Sequence, residues 1–197
     1  MGKGAETRLR ILDRALGLAS TEGLEGLTLG HLAHALGMSK SGLFAHFQSK
    51  EQLQIDVLRE AEERFVRLVV KPAIKQPRGE PRIRAMFENW LAWETAFPGG
   101  CIFQAVAPEV DDRPGPLRDY LVRTQADWFR TMIRAAEIAQ AEGHFDRDLD
   151  PRQLAFEVMS LFLGFHRCRR LFRDGNAEAH VRRAFDDLLD RARAGAR

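Results

Sequence analysis

The chain lacks most of the residue groupings that catalysis, metal binding or export would need. Only two of its 197 residues are cysteine, Cys101 and Cys168. That is too few for a disulfide framework and fits a reducing cytoplasm. No run of about 18 apolar residues occurs, so no transmembrane helix is expected. The opening stretch, MGKGAETRLR, has no apolar core of the kind a secretory signal carries. There is no His-Glu-x-x-His, Cys-x-x-Cys, Gly-x-Ser-x-Gly or Walker-type phosphate loop. The Glu-x-x-His pairs of a di-iron helical bundle are also missing. His144, His166 and His180 are scattered, each better read as an ordinary surface or core histidine than as a ligand. The expectation is therefore no enzyme, no metal and no cofactor. No strand pattern, internal repeat or low-complexity segment is found.

Charge of one sign is also scarce, since the net charge is only +2. Its distribution says more. Residues 1–50 hold six Lys/Arg and four Asp/Glu, and the remainder holds 24 of each. A mildly basic N-terminal part is weak support for a surface that faces nucleic acid. Apolar content of 45% with 29% charged residues is ordinary for a globular protein.

What the sequence does have is a strong local pattern from Leu27 to Lys50, LTLGHLAHALGMSKSGLFAHFQSK. Thr28 is a good N-cap, followed by Leu29, Leu32, Ala33 and Leu36 at helical spacing. Gly37 can end that helix because glycine accepts a left-handed backbone. Ser39 can cap a second helix, expected to run to about Phe47. Ser49 can cap a third, with Gln52 completing a capping box. Two short helices about a glycine turn make a helix-turn-helix, whose second helix enters the DNA major groove. Lys40, Ser41 and Gly42 would lie at base edges, and Lys40 can reach guanine or a phosphate. Gly42 would let the backbone approach DNA. Leu43 and Phe47 would hold the helix on its own domain, with His46 and Lys50 towards the phosphates. The competing reading is a plain helical corner on a surface, since many helical proteins contain one.

These residues resemble a known family. Residues 7 to 53 are similar to the N-terminal domain of TetR-type (TetR/AcrR) transcriptional repressors. The resemblance rests on TRLRILDRALGLASTEGLEGLTL, on LAHALGMSKSGLFAHFQSKEQL, and on the run Gly37, Ser39, Gly42, Leu43, His46, Phe47, Lys50 and Leu53. It implies a DNA-binding set of Thr28, Ser39, Lys40, Ser41, Gly42, Phe44, His46 and Lys50. The family usually has tyrosine at the position of Phe44, whose hydroxyl reaches a phosphate; phenylalanine keeps the ring and loses that hydrogen bond.

Periodicity predicts helices along the rest of the chain. The first, about Ala5 to Thr21, buries Ile11, Leu12, Ala15, Leu16 and Ala19, with Arg8, Arg10 and Arg14 on a solvated side. A long helix from Ser49 to about Val70 carries Leu53, Val57, Leu58, Ala61, Phe65 and Leu68, and could act as a lever or simply pack. Pro72, Pro77, Gly79 and Pro81 read as a linker. A helix follows with Ile83, Phe87, Trp90, Glu94 and Phe97 on one face. A short one spans about Cys101 to Ala107 before a break at Pro108. Another runs from Leu117 to Glu142, and two strong helices, capped by Asp150 and Asn176, close the chain.

The fold class expected is all-α, about nine helices, with an N-terminal three-helix helix-turn-helix domain and a C-terminal helical bundle. The domains expected are 1–50 for DNA binding and 51–197 for ligand sensing and dimerisation. The apolar residues of the penultimate helix wrap round much of its surface, so a second copy could cover one side and form a four-helix bundle. The resemblance likewise implies dimerisation through the last two helices. Val158, Phe165, Val181, Phe185 and Leu188 are the expected interface. Trp90, Glu94, Phe97, Trp128, Phe162 and His166 are the expected small-molecule pocket, although aromatics of this kind also simply fill cores. The function expected is a cytoplasmic, homodimeric repressor that binds a palindromic operator in double-stranded DNA and is released by a small-molecule effector. Two alternatives stand beside it: a small helical enzyme or carrier that uses the C-terminal pocket, and an effector-independent DNA-binding protein.

Overall fold

A computed structural model describes residues 3–193. Met1, Gly2 and residues 194–197, the outer ends of the two expected domains, lie outside the described residues. All regular structure in the described residues is helical: α1 (Lys3–Gly26), α2 (Leu29–Leu36), α3 (Lys40–Phe44), α4 (Lys50–Phe65), a π-helical turn (Val66–Val70), α5 (Lys71–Ile74), α6 (Glu80–Ala96), α7 (Ile102–Val110), α8 (Pro116–Ala141), α9 (Pro151–Arg170) and α10 (Ala177–Arg193). Backbone from α4 through α5 is helical without a gap, so the described residues form nine rods. The all-α fold is as expected.

The chain makes two compact units. One runs to Phe65 and takes in Thr95–Thr124; the other joins Val66–Glu94 to the segment from Gln125 onward.

In the first unit, Ile11, Leu12, Ala15, Leu16 and Ala19 are buried as the period predicts. They meet Leu24, Leu27, Leu32, Leu43, Phe47, Leu53, Val57 and Leu58 in one core. The kink near the end of α1 falls at Gly23 (φ 74°, ψ 174°). Two things require glycine there. The positive φ is one, and Glu109 of α7 is the other: a Cβ on Gly23 would lie 1.6 Å from its Oε1. The Glu109 carboxylate accepts from the Glu25 amide at 2.9 Å, replacing a helical partner lost at the kink. Arg8 is not on a solvated side. It pairs with buried Asp56 at 2.6 Å and lies over the Phe47 ring.

The prolines depart from expectation in two places. Pro72 sits within the helical run instead of a linker. Proline has no N–H and its ring crowds the carbonyl four residues back; the π turn just before it widens the helix there. Pro108 lies inside α7, which continues to Val110. Only two helical residues follow it, and the Asp111 amide still reaches the Ala107 carbonyl at 3.0 Å.

The second unit is built round aromatic rings. Phe87 and Phe185 stack at 3.8 Å between centroids, Trp90 and Phe162 at 4.0 Å, and Phe87 faces Phe162 at 6.0 Å. These four rings come from α6, α9 and α10 and tie the helices together face to face. Asp150 caps α9 by accepting from the Arg152 amide at 2.8 Å, with Pro151 at the first turn. Around the stack, α9 and α10 pack along much of their length.

Candidate nucleic-acid interface and effector region

The helix-turn-helix is assembled by caps. Thr28 Oγ1 accepts from the His31 amide at 3.1 Å and starts α2. Gly37 ends it in the left-handed conformation (φ 63°, ψ 29°). Ser39 Oγ then accepts from the Gly42 amide at 3.1 Å and starts α3. α3 is one short turn and stops at Phe44, well before the expected Phe47. Its buried side carries Leu43, with Phe47 just beyond; Lys40, Ser41 and Phe44 are exposed. Phe44 is 51% exposed, so about half of this large apolar residue is left open to solvent.

Each expected DNA-binding side chain has a definite place. Thr28 and Ser39 are occupied as caps. Ser41 Oγ lies 3.2 Å from Ser39 Oγ. Lys40 folds back across α2: a Cβ at Gly30 would lie 3.1 Å from its Cε and 3.5 Å from its Nζ. Gly42 leaves room for the Ser39 cap, since a Cβ there would lie 3.1 Å from Ser39 Oγ. His46 is half-buried beside Phe47, ring centroids 6.5 Å apart. Lys50 does not point freely outwards; its Nζ donates to the Glu25 carbonyl at 3.0 Å, at the end of α1. The Ser49 cap forms, donated by the Gln52 amide at 3.1 Å. The expected return bond from the Gln52 side chain does not; its Nε2 donates to Asp56 instead, at 3.1 Å.

In the second unit the expected pocket residues converge, with one exception. Glu94 is fully buried. Its Oε1 lies 2.9 Å from His166 Nδ1 and accepts from Arg169 Nη1 at 3.2 Å; the same Arg169 nitrogen donates to the Glu94 carbonyl at 3.0 Å. Trp90 and Phe162, four residues before Glu94 and His166 on their helices, stack on each other, and Trp128 lies 6.4 Å from Phe162 between ring centroids. Phe97 is the exception. It follows the last turn of α6 and falls in the first unit. Arg169 was not legible in advance, because a helix C-terminus normally explains a basic residue by its dipole alone.

The residues expected at a dimer interface all lie on α9 and α10. Val158, Phe165, Val181, Phe185 and Leu188 are all buried within one chain. They lie at the seam between α9 and α10 and, at Phe185, in the aromatic stack. The apolar side chains left open on α9 are Phe156 and Leu163, more than half exposed. Beside them Ser160, Gly164, Phe165, Cys168, Val181 and Ala184 line an open groove of about 200 Å³ between the two helices, so two of the expected interface residues border it.

Comparison with known proteins decides the family. Residues 79–185 match the family described as Tetracyclin repressor-like, C-terminal domain. Residues 11–57 match Bacterial regulatory proteins, tetR family. The chain belongs to the TetR family. It is a DNA-binding transcriptional regulator with a helix-turn-helix head. The HTH-type transcriptional regulator TcmR of Streptomyces glaucescens is 29% identical over 191 residues, 95% of this chain and 83% of that one. A TetR transcriptional regulator from Chloroflexus aurantiacus has the same fold, with a TM-score of 0.85 at 24% identity over 96% of this chain and 95% of its own. AibR, solved with isovaleryl coenzyme A and operator DNA, matches with a TM-score of 0.74 at 21% identity over 95% of this chain and 98% of its own. Among the described residues no helix is long and apolar enough to cross a membrane.

Proposed function

We propose that this TetR-family regulator is a cytoplasmic repressor. On this reading it binds a palindromic operator as a homodimer and leaves it when a small molecule binds. Residues 1–50 would read the DNA, and residues 51–197 would dimerise and sense the effector. The observation that carries the reading is the exposed face of α3, where Lys40, Ser41 and Phe44 stand clear of a core sealed by Leu43 and Phe47. Short polar and basic side chains on the second helix of a helix-turn-helix are what base-edge and phosphate contacts need. Thr28, Ser39, Gly42, His46 and Lys50 frame that face. Lys50 would exchange the Glu25 carbonyl for a phosphate on binding.

Dimerisation would use the side of α9 that the chain leaves open. Phe156, Ser160, Leu163 and Gly164 recur at helical spacing along it. Paired with the same helix of a second copy and flanked by α10, this face would make a four-helix bundle. Two heads related by the dyad would then meet half-sites about 34–36 Å apart, which makes the operator a palindrome. The fold relative AibR carries both an acyl-coenzyme A and operator DNA in one structure, which supports coupling of ligand to DNA here. A ligand releases the operator only through its different affinity for the two states, and hundredfold release needs about 3 kcal/mol of coupling.

Selection from random duplexes with the purified protein tests this directly. A palindromic consensus bound by a dimer is expected. Leu163→Asp should leave the helical content intact and convert the dimer to a monomer in sedimentation. A non-palindromic consensus, or wild type that sediments as a monomer at micromolar concentration, would overturn the dimeric reading.

A further inference from the structure

A second cavity in the second unit has a composition that points to a ligand class. It measures about 390 Å³ and lies between α5, the first turns of α6 and the later half of α8. Its floor is apolar: Ile74, Met86, Ala135 and Ile138. Its walls carry three guanidiniums, Arg82, Arg130 and Arg134, against one carboxylate, Asp127. Each guanidinium has five N–H donors, and each commits one in the structure. Arg82 Nε donates to the Gln76 carbonyl at 3.0 Å, Arg130 pairs with Asp127, and Arg134 pairs with Glu137 at 2.8 Å. Most of the donor capacity round the cavity is therefore open. Ile74, which lines the cavity, is 47% exposed and leaves apolar surface open to it.

We propose that this cavity binds a small amphiphile with an oxyanion head and an apolar body. The chemistry follows from the walls. A planar guanidinium fork matches carboxylate and phosphate oxygens two at a time. The apolar floor takes the body of the ligand, and the volume falls within the about 300–1,000 Å³ usual for small-molecule sites. The site is separate from the Trp90–Phe162 stack and the Glu94 group, whose rings and charges are already matched to one another. It deepens the effector reading above and rests on it.

The test uses the full-length protein and four probes: octanoate, octyl phosphate, octanol and inorganic phosphate. Calorimetric titration should detect octanoate or octyl phosphate, with octanol and inorganic phosphate each at least tenfold weaker. Tighter binding of octyl phosphate than octanoate assigns the head as phosphate, and the reverse assigns it as carboxylate. Arg82→Gln with Arg134→Gln should weaken the better probe at least tenfold, as should Ile74→Asp, with unchanged helical content. Octanol binding as tightly as octanoate, or the double arginine variant binding like wild type, would overturn the site. Operator affinity is then read with and without the bound probe. Binding without a change in operator affinity keeps the site and rejects it as the effector site. No binding at all rejects the site and leaves the repressor reading standing on its operator test.

Discussion

Each unit of the molecule buries one carboxylate, and the two are held in different ways. Asp56 in the first unit receives Arg8 from α1 at 2.6 Å, and Arg59 and Gln52 from its own helix at 2.7 and 3.1 Å. Glu94 in the second receives His166 and Arg169, both from α9, more than seventy residues away in sequence. The contrast extends to the rest of each unit. The turns of the head are set by contacts between near neighbours: caps at Thr28, Ser39 and Ser49, a left-handed glycine at 37. The second unit is assembled by rings that meet only when three distant helices are already in place. A head of short helices keeps its shape through local rules. The second unit depends on a shared core, and a change anywhere in that core is felt throughout.

Phe162 lies at the centre of that core, so Phe162→Ala should show the largest effect, about 3–5 kcal/mol lost in urea unfolding. Loss of less than about 1 kcal/mol would mean that the rings are loosely packed and that the contrast between the units fails. Next comes Arg169→Ala. Taking one partner from a buried ion pair costs about 3–5 kcal/mol, and the lower end applies here because His166 remains and Arg169 is partly exposed. Arg8→Ala should cost less, about 1.5 kcal/mol, since Asp56 keeps Arg59 and Gln52. Equal losses for the two arginines would break the comparison, because redundancy of local partners is what separates the two sites.

The same difference explains what could be read from the residues in order. Caps and glycine turns act within three or four positions, so Thr28, Gly37, Ser39 and Ser49 mark the head in the sequence itself. The helical spacing of Ile11, Leu12, Ala15, Leu16 and Ala19 announced a buried face. Spacing does not say what buries a face. Phe185 and Leu188 looked available for a second chain and are covered by their own. Pro72 and Pro108 looked like breaks because a proline usually stops a helix; a π turn and a nearby helix end accommodate them. Arg8, one of three arginines on an apparently solvated side, found Asp56 forty-eight residues on, which no local pattern encodes. In the second unit helical spacing marks Glu94 and His166 as residues of a pocket; their direct contact and the third partner, Arg169, come from packing alone.

The smallest effect is expected at the exposed ring of the head. Phe44→Tyr adds the hydroxyl that the family resemblance implies at this position. It should tighten operator binding by about 0.5–1.5 kcal/mol, the worth of one hydrogen bond, and leave unfolding unchanged. Equal affinity of the two proteins in a fluorescence titration at fixed salt would place Phe44 away from the phosphates.

The central claim is that α3 reads DNA, and Lys40 is its most direct test. Operator and random duplexes should be titrated against wild type and Lys40→Ala over a range of salt concentrations. If Lys40 reads a base edge, operator affinity falls by about 1–3 kcal/mol, binding to random duplex changes little, and the slope of affinity against salt is nearly kept. If it holds a phosphate, both duplexes weaken alike and the slope falls by about one. Unchanged affinity for both duplexes at every salt concentration would contradict the account and remove α3 from the interface.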